Sequence, residues 1–146
     1  PVLRDAGSHA YDHAVAALRR GEVVGVFPES RVSASFTLLP FKTGAARMAQ
    51  EAAVPVVPCV VWGSHRVLTR THRFSFRQAL GTPVTIAFGE PLHVDPEEDP
   101  TRATELLRTR MEALLTQAQD GYGEAEPGAW WLPAHRGGGA PEPETA

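Results

Sequence analysis

Cysteine is nearly absent from this sequence: Cys59 is the only one in 146 residues. A disulfide framework and a cysteine-based zinc site are therefore excluded, and a reducing compartment fits. Lysine is just as scarce, with Lys42 standing alone against thirteen arginines. Long hydrophobic runs are missing too. The longest apolar stretch, Ala52 to Gly63, is too short to cross a bilayer and is interrupted by Pro55 and Pro58. No secretory signal is recognisable, and neither a P-loop nor a GxSxG nucleophile elbow is present. A formal net charge of -3 argues against a general nucleic-acid binder. What remains is an ordinary globular composition, 42% hydrophobic and 21% charged, long enough for one domain with a real core.

Helix and strand signals alternate along the chain. Ser8 to Arg20 reads as a helix, with Ser8 as N-cap, Tyr11, Val15 and Leu18 on one side, and Gly21 as the stop. "EVVGVF", Glu22 to Phe27, is a short continuous apolar run of the kind found in a strand covered on both faces. Thr43 to Ala53 reads as a second helix, capped by Thr43 and ended by Pro55. "VPVVPCVVW" follows as a strand in which Pro58 implies an edge or a bulge. Ser64 to Leu80 is polar, basic and aperiodic, and reads as a long loop. "PVTIAFG", Pro83 to Gly89, is a third strand. Asp99 and Pro100 form an N-cap and first-turn pair for a helix carrying Leu106, Leu107, Met111, Leu114 and Leu115 on one face. The expected architecture is α/β, a mostly parallel sheet flanked by helices, over residues 1–120. Residues 121–146 are Gly-, Pro- and Glu-rich and read as a loosely docked or disordered tail.

In such sheets ligands sit beyond the carboxyl ends of the strands, and "FPESR" lies just past one. An arginine there can grip phosphate through charge-assisted bonds, and Glu29 can hold the arginine or accept from a hydroxyl. An exposed turn with an incidental ion pair is the plainer alternative. Lys42 stands directly before a helix N-terminus whose open N–H groups favour an anion. The "SHRVLTRTHRFSFR" loop gathers Arg66, Arg70, Arg73 and Arg77 with Phe74 and Phe76. Such a loop can touch a phosphorylated ligand or an anionic membrane, or simply be solvated. "HAYDH" places His9 and His13 four apart with Asp12 between them, a spacing better explained by a polar helix face than by a metal; no metal is expected. Cys59, inside an apolar strand, reads as inert core. For Trp130 and Trp131, docking of the tail onto its own domain is favoured over a membrane anchor.

The stretch "VFPESRVSASFTLLPFKTGAARMAQEAAVPVVPCVVW" resembles the glycerolipid acyltransferase family, the 1-acylglycerol-3-phosphate acyltransferases. Its members carry blocks close to "FPEGTRS", "PFKKGA" and "VPVVPV", and all three occur here in order. Phe27, Pro28, Glu29, Ser33, Phe41, Lys42, Gly44, Ala45, Val54 to Pro58 and Val60 match directly. "PVLRD" is similar to the end of a further block, with Arg4 in the arginine's place, and "WWLPAH" also resembles some members. The resemblance implies transfer of an acyl chain from acyl-CoA or acyl-carrier protein to lysophosphatidate, at the cytoplasmic face of a membrane to which the protein is peripheral. No cofactor is implied. Arg4, Glu29, Arg31, Ser33 and Lys42 would form the substrate-phosphate region, and Arg66, Arg70 and Arg73 would contact the donor or the membrane. Oligomeric state is left open.

Two departures stand out. The family's general base is a His with an Asp five positions later, upstream of "FPEG". Here the fifth residue after each of the six histidines is Ala14, Leu18, Arg70, Arg77, Glu98 or Ala140. The pair is thus expected upstream of Pro1, and with it an N-terminal part of the domain, leaving this chain to bind rather than catalyse by itself. The second departure lies within the first block: Ser30 replaces Gly, Arg31 replaces Thr, and Val32 replaces the phosphate-gripping Arg. The shifted Arg31, or Arg4 with Lys42, would supply the missing charge. The competing reading is a non-catalytic module that binds anions or lipid phosphate.

Overall fold

The computed structural model describes residues 2–69, 76 and 80–143, with side chains from His9 onward. Three helices are described: α1 Val2–Arg19, α2 Gly44–Ala52 and α3 Pro100–Asp120. The strands are β1 Cys59–Trp62 and β2 Thr85–Phe88, and single turns of 3-10 helix cover Ser64–Arg66 and Ala134–Arg136. No described helix is long and apolar enough to cross a membrane. The chain divides into two compact units, one of Pro1–Ser30, Pro40–Pro58 and Glu90–Arg110, the other of Arg31–Leu39, Cys59–Gly89 and Met111–Ala146.

In the first unit α1 packs against α2, burying Val15 with Ala46, Met48 and Ala49. The helix extends N-terminally past Ser8, which is therefore interior and not a cap. Leu3, Arg4 and Ala6 are good helix formers, and they carry the helix through a serine that pattern alone marks as its start. The end falls as expected. Gly21 takes φ 81°, and its N–H reaches Leu18 O at 2.9 Å while Glu22 N–H reaches Ala17 O at 3.1 Å, a Schellman motif. Helix α2 closes in the same way, with Ala53 N–H on Gln50 O and Val54 N–H on Ala49 O. There, however, the left-handed position is an alanine, at φ 53°. Thr43 occupies the N-cap position of α2 without making a side-chain cap bond. The first unit is tied further by Gln50, whose amide donates to Asp95 O and Glu98 O at 2.8 and 2.7 Å. A backbone bridge joins Val56 to Leu92.

The second unit is built on β1 and β2, paired antiparallel in the register Cys59–Phe88, Val60–Ala87, Val61–Ile86 and Trp62–Thr85. The expected parallel sheet is therefore not what the described residues form: their one sheet is two-stranded and antiparallel. The apolar runs located these two strands correctly, but pairing direction is set by the path of the connection between them, which no apolar run encodes. The run Glu22 to Phe27 is also not a strand. It forms no ladder, and Val23 and Phe27 are 98% and 92% exposed. An apolar run becomes a strand only when a neighbour satisfies its backbone.

Strand β1 alternates strictly, with Val60 and Trp62 buried and Cys59 and Val61 exposed. Cys59 is thus a surface thiol and not the core residue expected. Val60, Trp62 and Ala118 form a cluster covered by Phe36, Met111, Leu114, Leu115, Tyr122, Trp131 and Leu132. Along α3, Ala103 and Leu107 are buried whereas Leu106, expected on the same face, is 42% exposed. Asp99 caps α3, its Oδ1 accepting from Thr101 N–H at 2.9 Å. That bond and one from the Thr101 side chain hold the Asp99 carboxyl below its ordinary pKa.

Candidate functional site

The motif residues divide between the units at Ser30 and Arg31. Glu29 and Lys42 belong to the first. Pro28 opens a turn whose carbonyl accepts the Lys42 N–H at 2.9 Å, so the first two motif blocks are joined by a backbone bond that neither shows alone. Lys42 is exposed and Glu29 half-buried. Arg4 lies in α1, and its side chain is outside the described residues, as are Arg70, Arg73, Phe74 and Arg77 altogether.

Ser30 explains the family's glycine. Its φ is 56°, the left-handed region that L side chains enter at a cost of roughly 1–2 kcal/mol. The turn keeps a glycine conformation although the glycine is gone.

In the second unit Arg31 is exposed, and Ser33 starts a ladder of hydroxyls: Ser33 Oγ to Ser35 Oγ at 2.9 Å, then Ser35 Oγ to Thr37 Oγ1 at 2.7 Å. Val32 and Ser33 line an open cavity of about 460 Å³ with Phe36, Ser64, His65, Leu68 and Thr69. Its walls are apolar with three hydroxyls and one imidazole, a lining suited to a ligand with both an apolar body and a hydrogen-bonding end. Arg31 is not among the lining residues.

His65 is the residue that sequence reasoning passed over. Its ring lies 4.5 Å from those of both Phe36 and Trp62, and Nε2 stands 2.9 Å from Trp131 O. A carbonyl only accepts, so Nε2 carries the proton of that bond and Nδ1 is left as the acceptor. Burial lowers the His65 pKa below its ordinary value, outweighing the Trp131 bond, which raises it, while nearby Arg66 lowers it further. A neutral imidazole with one free lone pair can accept from a hydroxyl. No spacing rule finds it, because its partners come from positions 36, 62 and 131. His93 and Glu98, the nearest approach to a five-residue pair, make no hydrogen bond with each other among the described residues, and His93 is exposed. No three His, Cys, Asp or Glu side chains converge as a metal site among the described residues.

Residues 2–62 match the family model described as Acyltransferase, and that span holds all three motif blocks. More narrowly, the chain is similar to the 1-acyl-sn-glycerol-3-phosphate acyltransferase of Cocos nucifera, at 34% identity over 74 residues covering 51% of this chain and 23% of that protein. It is 33% identical over 70 residues to the protein of the same name from Limnanthes alba, covering 48% and 24%. The resemblance read from the motifs is thus borne out over about half the chain. The chain spans about a quarter of the length of these relatives. No solved structure matches it.

Proposed function

We propose that this chain is the substrate-holding part of a 1-acylglycerol-3-phosphate acyltransferase of phospholipid biosynthesis. Its reaction transfers an acyl group from acyl-CoA or acyl-carrier protein to the free hydroxyl of lysophosphatidate, giving phosphatidate. The observation that carries this reading is the acyltransferase-family match over residues 2–62, supported by relatives named for that reaction. Glu29, Arg31, Ser33, Lys42 and Arg4 hold the phosphate of the acceptor. The Lys42–Pro28 backbone bond supports the pairing of the first two blocks. Arg66, Arg70 and Arg73 meet the acyl donor or the cytoplasmic face of the membrane, where the protein is peripheral. The base that takes the hydroxyl proton is the family's His–Asp pair, which none of the histidines here supplies.

The test is a binding one. The chain should bind lysophosphatidate in detergent micelles at least about tenfold tighter than the matching monoacylglycerol, since a charge-assisted bond to phosphate contributes ~1.5–3 kcal/mol. Equal affinity for the two lipids would sink the reading. Binding to any anionic vesicle without preference for lysophosphatidate would support a basic-loop interaction protein in its place.

A further inference from the structure

The sheet of the second unit is apolar on both faces, and the described residues cover only one. Val60 and Trp62 of β1 turn inward to the cluster around Ala118, with Ala87 of β2 packed against it. The pairs Cys59–Phe88 and Val61–Ile86 share the opposite face. Val61, Ile86 and Phe88 are 48%, 59% and 69% exposed there, and Cys59 is exposed beside them. An antiparallel sheet with one solvated face normally alternates apolar-in with polar-out. Strand β2 reverses that order, turning Ile86 and Phe88 outward while Thr85 and Ala87 are the less exposed pair. The four outward side chains expose on the order of 400 Å² in one strip, as large as the leading apolar patch of a typical monomer at ~300–600 Å².

The geometry points to a second copy of this chain seated on this face. Under a two-fold axis the strip meets itself, the same four side chains serving on both sides, with the two sheets stacked about 10 Å apart. The area fits that occupant. Apolar atoms make up roughly 56–65% of a protein interface, so a strip of this size is the apolar share of about 650 Å² per partner, within the standard range. Charge argues against lipid in its place. A surface for an anionic membrane carries Lys or Arg beside its apolar residues, and β1 and β2 contain no charged residue at all. Phe88 and Ile86, the most exposed of the four with a printed share of 69% and 59%, are the anchors of the contact. The face uses none of the residues assigned to the acceptor phosphate or the acyl donor, so the two readings are tested apart.

The test is sedimentation equilibrium of the full chain at concentrations from about 1 to 200 µM, where a reversible monomer–dimer equilibrium with a dissociation constant on the order of 10 µM is expected. Ile86→Lys sets like charges against each other across the two-fold axis and should weaken dimerisation at least about tenfold. Its thermal transition at low concentration should not move, because the residue is exposed; Val61→Lys is the second variant if it does. Cys59 ties the dimer to this face, since its reaction with dithionitrobenzoate should slow several-fold between the two ends of the concentration range. A single monomeric species throughout, dimerisation of unchanged strength in both variants, or a thiol rate independent of concentration would each overturn the proposal. Growth past the dimer into open-ended polymers would overturn the two-fold contact. A monomeric chain that co-sediments with phosphatidylglycerol vesicles, and loses them in Ile86→Lys, would give the face to lipid and overturn it as well.

Discussion

Replacing Gly63 by alanine should be a strongly destabilising single-methyl change in the second unit. Gly63 sits at φ 96° and ψ -22° between β1 and the Ser64–Arg66 turn. A methyl there would stand 2.5 Å from Tyr122 Oη and closer still to Pro83 O, two atoms joined to each other by a hydrogen bond. The methyl would also stand 2.8 Å from Tyr122 Cε2, so the backbone at Pro83 must shift and Tyr122 must move. Moving it breaks its bond to Pro83 and the one from Arg66, at about 1 kcal/mol each. The left-handed backbone adds roughly 1–2 kcal/mol for any L residue. The sum is about 3–4 kcal/mol, a large part of the ~5–15 kcal/mol that holds a typical domain together. Urea and thermal unfolding of Gly63→Ala should show that loss, with the melting temperature lower by roughly 10 °C. The double variant with Tyr122→Phe supplies the internal check. With the hydroxyl gone, one of the three close contacts is relieved in advance, so the two losses should sum to more than the double variant shows. A Gly63→Ala protein within about 0.5 kcal/mol of the parent, the range of an ordinary surface substitution, would refute the reasoning about this close approach.

Other consequences are as direct. Ser30→Gly and Ala53→Gly each relieve a left-handed non-glycine residue and should raise stability by about 0.5–1 kcal/mol in urea unfolding, whereas Gly21→Ala should cost about as much. His65 has its folded pKa below its unfolded one. Its contribution to stability is therefore full above about pH 6.5 and is lost as pH falls toward the folded value. Unfolding midpoints at pH 7.5 and pH 5 should differ more in the parent than in His65→Asn, and equal differences would exclude His65 as the cause. Cys59, exposed on β1, should react with a disulfide reagent such as dithionitrobenzoate without denaturant; protection until unfolding would contradict the strand register.

What could be read from the sequence was mostly what is decided within a few residues. Gly21, Pro55 and the Asp99–Pro100 pair end or begin helices through their own backbone chemistry, and the structure puts helix ends at each of them. The strands at Cys59 and Thr85 were visible as apolar runs, but their antiparallel pairing was not, because direction depends on where the chain goes between them. Burial failed at Cys59 for a related reason: once Val60 and Trp62 face the cluster, alternation sends the thiol outward whatever its hydrophobicity. At the site, the motif blocks were legible because each is contiguous. Their joining at Pro28 and Lys42, the strained Ser30 and the aromatic setting of His65 depend on residues far apart in the chain or on a dihedral angle, neither of which a residue pattern displays.

The central claim, that the motif blocks hold the phosphate of a lysophospholipid acceptor, is tested most directly by the dissociation constant for lysophosphatidate in the parent, Arg31→Ala and Lys42→Ala proteins. Both positions are exposed, so neither substitution should affect folding. Loss of a cation bonded to phosphate should weaken binding about 10- to 100-fold in at least one of them, with binding of the monoacylglycerol unchanged. Identical constants for all three proteins would contradict the claim.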